Sequence, residues 1–274
     1  MVGNGATNWD LDVFPTFPET LYNFNIIPKT LLDQYNSLNC TYYFNDLRNH
    51  SGPAECDALF DKFFDFTDGL NWYDLYRTDA MPLLQKDRAE FGEVIIDGEK
   101  KTYQRGYKMS QYTPWLKKHF ESGLLKDKHL GADVFTDWLN RADVRTALHI
   151  PSTAPAWSMC WNDTTQAGYH YAQEGSQWIY TVLKQNGIRL MHYSGDTDGA
   201  ITTYGTKSWI ETLGWPTKVD WKQWRTDGQV SGYVQQYDGL DFVTVKGVGH
   251  MAPQWAKKPV LQMITNWIHN IPWA

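Results

Sequence analysis

The sequence predicts an α/β fold carrying a mostly helical insertion, and three stretches support that reading. Gln177–Gln185 has the apolar spacing of an amphipathic helix, Ile188–Ser194 reads as a strand that follows at once, and Thr203–Leu213 reads as a helix beyond a glycine-bearing loop. Helix, strand, loop and helix in that order bury a parallel strand between helices. Asp241–Val245 alternates polar and apolar residues like a half-buried strand and runs into Lys246-Gly-Val-Gly-His250. Residues 9–130, by contrast, are aromatic, with short helical patterns broken by polar loops.

Taken in order, Met1–Gly3 reads as the last residues of a strand, with Gly3 and Gly5 turning the chain away from the sheet. In the insertion, Leu31–Leu38 and Cys56–Phe66 place apolar residues at helical intervals, and Ile96-Asp-Gly-Glu-Lys-Lys101 has the turn chemistry of a hairpin or an exposed loop. Residues 131–274 are more regular. Asn140 and Asp143 are candidate caps for a helix through Val144, Ala147 and Leu148 that Pro151 stops. The helix at Gln177–Gln185 is expected to collect Trp178, Ile179, Val182 and Leu183 on one side, with Gly187 just past its end. Gly214 and Pro216 close the helix after Thr203, and Asp227-Gly228 marks the turn of a twisted hairpin between Trp221 and Gln236. A terminal helix with Pro259 in its first turn repeats Val260, Met263, Ile264, Trp267, Ile268 and Ile271 at helical intervals, a face that must pack on the sheet. The resulting division is 1–8 as the end of a core strand, 9–130 as the cap and 131–274 as the later part of the core.

Composition narrows the function classes. A chain of 274 residues, 42% hydrophobic, can bury a substantial core. Its 25 Lys and Arg against 31 Asp and Glu give a formal net charge of −6 without a basic cluster, which argues against a nucleic-acid partner. No apolar run approaches the roughly 20 residues that span a bilayer, and the first residues lack the regions of a signal peptide, which taken alone points to the cytosol. Three sequons point instead toward a secretory history: Asn39-Cys-Thr, Asn49-His-Ser and Asn162-Asp-Thr. Cys40 and Cys56 enclose a short loop that permits a local disulfide and leave Cys160 over, while three free buried thiols are the alternative. The 14 tryptophans are spread along the chain, which favours packing over a carbohydrate-stacking surface.

The chemistry concentrates at two strand ends. Gly247 and Gly249 let the backbone turn and hold His250 at the end of one strand, and Ser194-Gly-Asp-Thr-Asp-Gly-Ala200 places Asp196 and Asp198 at the end of another. An acid followed by a histidine on separate strand ends matches the chain order of α/β-hydrolases, in which the acid fixes the histidine tautomer and the histidine takes a nucleophile's proton. Asp198 is the better placed acid, since Asp196 lies nearer the strand, where it bonds loop amides or caps the turn. An EF-hand reading of the acid loop fails: with Asp198 and Gly199 at positions five and six, position one is Ser194 and position twelve is Gly205. Zinc lacks a His-Glu-x-x-His or paired cysteines, so neither metal nor cofactor is expected.

These residues resemble the serine carboxypeptidases, α/β-hydrolases of vacuoles, lysosomes and secretions. The motifs carrying the resemblance are Tyr193-Ser-Gly-Asp-Thr-Asp-Gly199, Val243-Thr-Val-Lys-Gly-Val-Gly-His-Met-Ala-Pro253, Leu139-Asn-Arg-Ala-Asp-Val-Arg-Thr-Ala-Leu-His149, Trp157-Ser-Met-Cys160 and Met1-Val-Gly-Asn-Gly5. The resemblance spans nearly the whole chain. It implies Asp198 as triad acid, His250 as general base, Met251 near the leaving residue's pocket, and Ala200 and Ile201 on its other side. It also implies a Cys40–Cys56 cap disulfide, Cys160 as an orphan whose partner lies in a missing early part, and a vacuolar, lysosomal or extracellular destination, where the sequons at Asn39, Asn49 and Asn162 would carry glycans. The family's further cap cysteines after Asn71-Trp-Tyr-Asp74 are missing.

No serine has glycine both two before and two after it, as a nucleophile elbow requires. The chain therefore resembles the later part of such an enzyme, about three fifths of it on usual domain lengths. The expectations are a peptide substrate for the intact protein, no peptidase activity for this chain alone, and a missing N-terminal segment or chain as partner. A sheet without its early strands is expected to expose a parallel edge and a large apolar face, so that the isolated chain aggregates or needs a partner. Two alternatives follow: an acyltransferase of the same family, and a non-catalytic binding or regulatory homologue.

Overall fold

The computed structural model describes residues 1–12, 15–38, 40, 54–68, 70–77, 91–96, 99–104, 132–157 and 175–273. Asn39, Asn49, Cys160 and Asn162 lie outside the described residues. In chain order the elements are β1 (Val2–Gly3), α1 (Phe17–Asn23), α2 (Lys29–Leu38), α3 (Ala54–Thr67), β2 (Phe91–Ile96), β3 (Glu99–Gln104), α4 (Ala132–Leu139), α5 (Ala142–Ala147), α6 (Gln177–Gln185), β4 (Leu190–Gly195), α7 (Thr203–Thr212), β5 (Thr217–Thr226), β6 (Gln229–Tyr237), β7 (Leu240–Val245), α8 (Ala252–Trp255) and α9 (Lys257–Ile268). They fall into two compact units, one made of Met1–Thr67, Trp72–Arg77 and Ala172–Ala274, the other of Asp68–Asn71 and Thr78–Tyr171.

The first unit holds a five-stranded sheet in the order β1-β4-β7-β6-β5. β1 pairs parallel to β4, and β4 pairs parallel to β7 in register from Leu190 opposite Leu240 to Gly195 opposite Val245. β6 and β5 then return antiparallel, as the Asp227-Gly228 turn predicts. Because side chains alternate across a strand, β4 and β7 feed two apolar layers. Met191, Val243 and Val245 join Val260 and Met263 of α9, with Tyr193, Ile264 and Trp267 against them. Leu190, Leu240 and Phe242 join Tyr180 of α6 and Trp209 and Ile210 of α7. Burying such a Leu, Val or Phe side chain contributes about 1.5–3 kcal/mol, so α9 on one face and α6 with α7 on the other hold both strands in register.

Two local expectations are corrected. In α6 the buried residue is Tyr180, while Trp178 and Val182 are 60% and 43% exposed. The reason is polar: the Tyr180 hydroxyl bonds the buried His192 Nδ1 at 2.8 Å, and its ring meets Trp209 edge on at 5.0 Å. α5 has no side-chain cap. The Asn140 amide bonds Trp157 twice, at 2.7 Å to both its carbonyl and its N–H, and Asp143 pairs with Arg141. The hairpin expected around Ile96–Lys101 forms as β2 and β3, which with α4 and α5 belongs to the second unit.

Helices α1 to α3 build an aromatic layer of their own in the first unit. Phe17 lies 4.5 Å from Trp72, Phe64 stacks on Trp72 at 5.3 Å, and Tyr35 meets Phe60 and Phe63 edge on. A Cys40–Cys56 disulfide ties the far end of this layer. In chain-entropy terms a closed loop of that size contributes about 3 kcal/mol.

Asp12 is buried and accepts hydrogen bonds from the Thr7 and Asn8 amides at 2.6 and 2.9 Å, yet burial outweighs them and pushes its carboxyl from 3.8 to about 7. Its contribution to stability is therefore full below pH 3.8 and is lost as pH rises through about 7. His192 has the opposite sign, since burial lowers it from 6.5 to about 3 and its contribution is lost as pH falls through that range. Between pH 6.5 and about 8, the parent chain is expected to lose about 1 kcal/mol more unfolding free energy than Asp12→Asn, measured by urea unfolding at each pH. Equal losses in both chains would refute this assignment.

Candidate active site

β4 and β7 end side by side, at Gly195 opposite Val245, so the loops leaving them emerge at the same edge of the sheet. The acid loop turns back on its own strand pair: the Asp196 and Thr197 amides bond the Val245 and Val248 carbonyls at 3.0 and 3.2 Å. Gly247 sits at φ 72°, the left-handed region that glycine adopts without steric cost. The structure also sorts the two acids. Asp196 Oδ1 accepts the Gly247 amide at 2.6 Å, the loop-bonding role open to it in the sequence. Asp198 faces His250, with Oδ2 2.7 Å from Nδ1.

Asp198 is 1% exposed and every acceptor direction of its carboxylate is used. Oδ1 accepts the amides of Ala200 and Ile201 at 2.8 and 3.1 Å, and Oδ2 accepts the Asn4 side-chain amide at 2.7 Å besides His250. Burial pushes the Asp198 carboxyl up, and the bonds from His250, Ile201 and Asn4 oppose that shift. An ionised carboxylate removed from water holds an imidazole far more strongly than an exposed one does. His250 keeps 28% of its side chain exposed, so a ring clamped at Nδ1 still turns an open side outward.

A strap from Trp72 to Arg77 clasps both loops. The Trp72 carbonyl accepts the Gly199 amide at 2.8 Å, the Tyr73 carbonyl accepts the His250 amide at 2.7 Å, and the Leu75 amide donates to the Thr197 carbonyl at 2.9 Å. Thr197 Oγ1 donates to Asp74 at 2.7 Å, and Asp74 pairs with Arg77, whose guanidinium lies 4.1 Å over the Trp255 ring. The Tyr73 ring stacks on the His250 imidazole at 4.8 Å. Sequence reasoning missed this strap and Asn4. Its available signals were Asn71-Trp-Tyr-Asp74, noted only for the cysteines around it, and an asparagine between two glycines at the end of β1.

The remaining expected residues lie around this pair. Ala200 and Ile201 are half-buried and meet Asp198 through their backbones. Met251, half-buried, follows His250 directly as the residue preceding α8. No group of three or more His, Cys, Asp or Glu able to hold a metal ion occurs among the described residues.

The serine carboxypeptidase family model matches residues 1–270, so the chain belongs to that family. Serine carboxypeptidase 1 of Hordeum vulgare is 25% identical over 98% of this chain and 55% of its own length. Putative serine carboxypeptidase-like 30 of Arabidopsis thaliana is 39% identical over 49% of this chain and 28% of its own length. The crystal structure of Kex1(delta)p, a prohormone-processing carboxypeptidase from Saccharomyces cerevisiae, shares the fold with a TM-score of 0.61 and 18% identity, over 98% of this chain and 53% of that chain. The chain thus spans about half the length of the relatives it matches over nearly its whole extent.

The closeness of strap and histidine loop gives a stability prediction. A Cβ on Gly249 would lie 1.8 Å from the Tyr73 carbonyl oxygen, a backbone atom that cannot swing aside. Gly249→Ala is expected to destabilise the chain by about 1–3 kcal/mol, read from urea unfolding. An unchanged midpoint would show that the strap does not hold this loop.

Proposed function

We propose that this chain supplies the acid and the general base of a serine carboxypeptidase, with Asp198 and His250 in those roles, and that the nucleophilic serine comes from chain outside these 274 residues. The observation that carries the reading is the 2.7 Å contact of a buried, fully bonded carboxylate with the Nδ1 of a partly exposed histidine, on adjacent parallel strand ends. A carboxylate accepts only, so Nδ1 carries the proton and Nε2 has the free lone pair.

On this reading Nε2 of His250 removes the serine proton as the oxygen attacks the peptide carbonyl carbon. Asp198 stabilises the imidazolium that forms. As the C–N bond breaks, the same proton passes to the departing amine of the C-terminal residue. Water then attacks the acyl-serine ester, giving its proton to Nε2, which returns it to the serine oxygen. Met251, Ala200 and Ile201 lie around this pair and are assigned to the pocket of the departing residue. The Cys40–Cys56 disulfide and the three sequons favour the secretory pathway and its vacuolar, lysosomal or extracellular ends.

The test is release of C-terminal amino acids from an N-blocked dipeptide. The 274-residue chain alone is expected to release none, and co-expression with a family segment bearing Gly-x-Ser-x-Gly is expected to give activity. In that pair His250→Ala should abolish turnover and Asp198→Asn should lower it by about 10⁴. Release by the chain alone, or paired activity that ignores both substitutions, would overturn the proposal. An ester or amide product in the presence of an added alcohol or amine would redirect it to acyl transfer.

A further inference from the structure

We propose that Asn4 is a positioning residue for the Asp198–His250 pair, an inference that rests on the acid and base roles assigned above. It directs the carboxylate through its side-chain amide and touches neither the imidazole nor the reacting atoms.

Asn4 follows β1, is 4% exposed, and sits at φ 46°, a left-handed conformation that asparagine tolerates better than most non-glycine residues. Its backbone N–H donates to the Tyr193 carbonyl at 2.9 Å, carrying the pairing of β1 with β4 one residue beyond the strand. The side chain then spans the acid loop. Oδ1 accepts the Gly195 amide at 3.3 Å and Nδ2 donates to Asp198 Oδ2 at 2.7 Å. A backbone N–H can only donate and a carboxylate can only accept, so the chemistry fixes which way the amide faces.

This orientation has a consequence for the imidazole. Each carboxylate oxygen offers two acceptor directions. On Oδ1 both are taken by the Ala200 and Ile201 amides, and Asn4 takes one on Oδ2. A single direction remains, and His250 Nδ1 occupies it. Rotating the carboxylate would break the two backbone bonds from Ala200 and Ile201 and leave buried donors unpaired. Asn4 thereby removes the alternative seat for the ring on the same oxygen. A turn residue chosen only for its φ would not need an amide that links the strand end to the acid.

The experiment compares the full 274-residue chain with Asn4→Gly, which keeps the backbone conformation and removes the amide, and with Asn4→Asp, which keeps the shape and sets a second carboxyl against Asp198. The readout is the low-field Nδ1 proton of His250 in ¹⁵N-histidine-labelled protein, at a temperature where circular dichroism shows each chain folded. The parent is expected to show this resonance. Asn4→Gly should broaden it away or raise its exchange with water at least about ten-fold, the size of effect that goes with losing one hydrogen bond to a charged group. If Asn4→Gly does not fold, Asn4→Asp supplies the reading, with the same loss expected. A lowered melting temperature with an unchanged resonance in the folded variants would reduce Asn4 to a structural residue and overturn the proposal, as would a parent chain lacking the resonance. The resonance reads the geometry whether or not the paired protein hydrolyses peptides, so failure here and failure of the carboxypeptidase reading are separately visible.

Discussion

The pairing of β4 with β7 is the constraint on which the site depends. Six residues of each strand run parallel and in register, and both end at the same level of the sheet. Asp198 and His250, 52 residues apart in the chain, are thereby delivered within hydrogen-bonding distance. The register is held by the two apolar layers: α9 grips Met191, Val243 and Val245 from one face, while Tyr180, Trp209 and Ile210 grip Leu190, Leu240 and Phe242 from the other. A slip of one residue would exchange the faces of every side chain on a strand, and the acid would no longer meet the base.

What the sheet sets coarsely, polar contacts set finely. The acid loop and the histidine loop each bond the strap at Trp72–Leu75, and Gly249 is glycine because the strap's backbone passes within van der Waals contact of it. Asp198 is buried and saturated with donors. Such a carboxylate is costly to bury, and the fold offsets that cost with backbone and side-chain amides that cannot be rearranged singly. The serine carboxypeptidase family model matches residues 1–270, a span that includes both loops.

Much of the core was legible in the sequence because its signals are local. The alternation in Asp241–Val245, the helix spacing of Gln177–Gln185 and the Asp227-Gly228 turn each specify an element without reference to distant residues, and each element forms where expected. The burial of Tyr180 in place of Trp178 was not legible, because it follows from a hydrogen bond to His192 on another element. Asn4 and the strap stayed hidden for the same reason. They lie 194 and 123 residues from their partners Asp198 and Thr197, and nothing in a single chain marks a bond across that distance. The choice of Asp198 over Asp196 was half legible: both acids sit in one loop, and only the folded turn shows which faces the histidine.

The central claim is that His250, held by Asp198, is built to take a proton from a serine supplied by another stretch of chain. The most direct measurement is covalent labelling of the co-expressed pair by a fluorophosphonate probe that reacts with activated serines, followed by mass mapping of the adduct. The account predicts a single adduct on the serine of Gly-x-Ser-x-Gly, lost with His250→Ala and strongly slowed with Asp198→Asn. Labelling at an unchanged rate in both variants would contradict it.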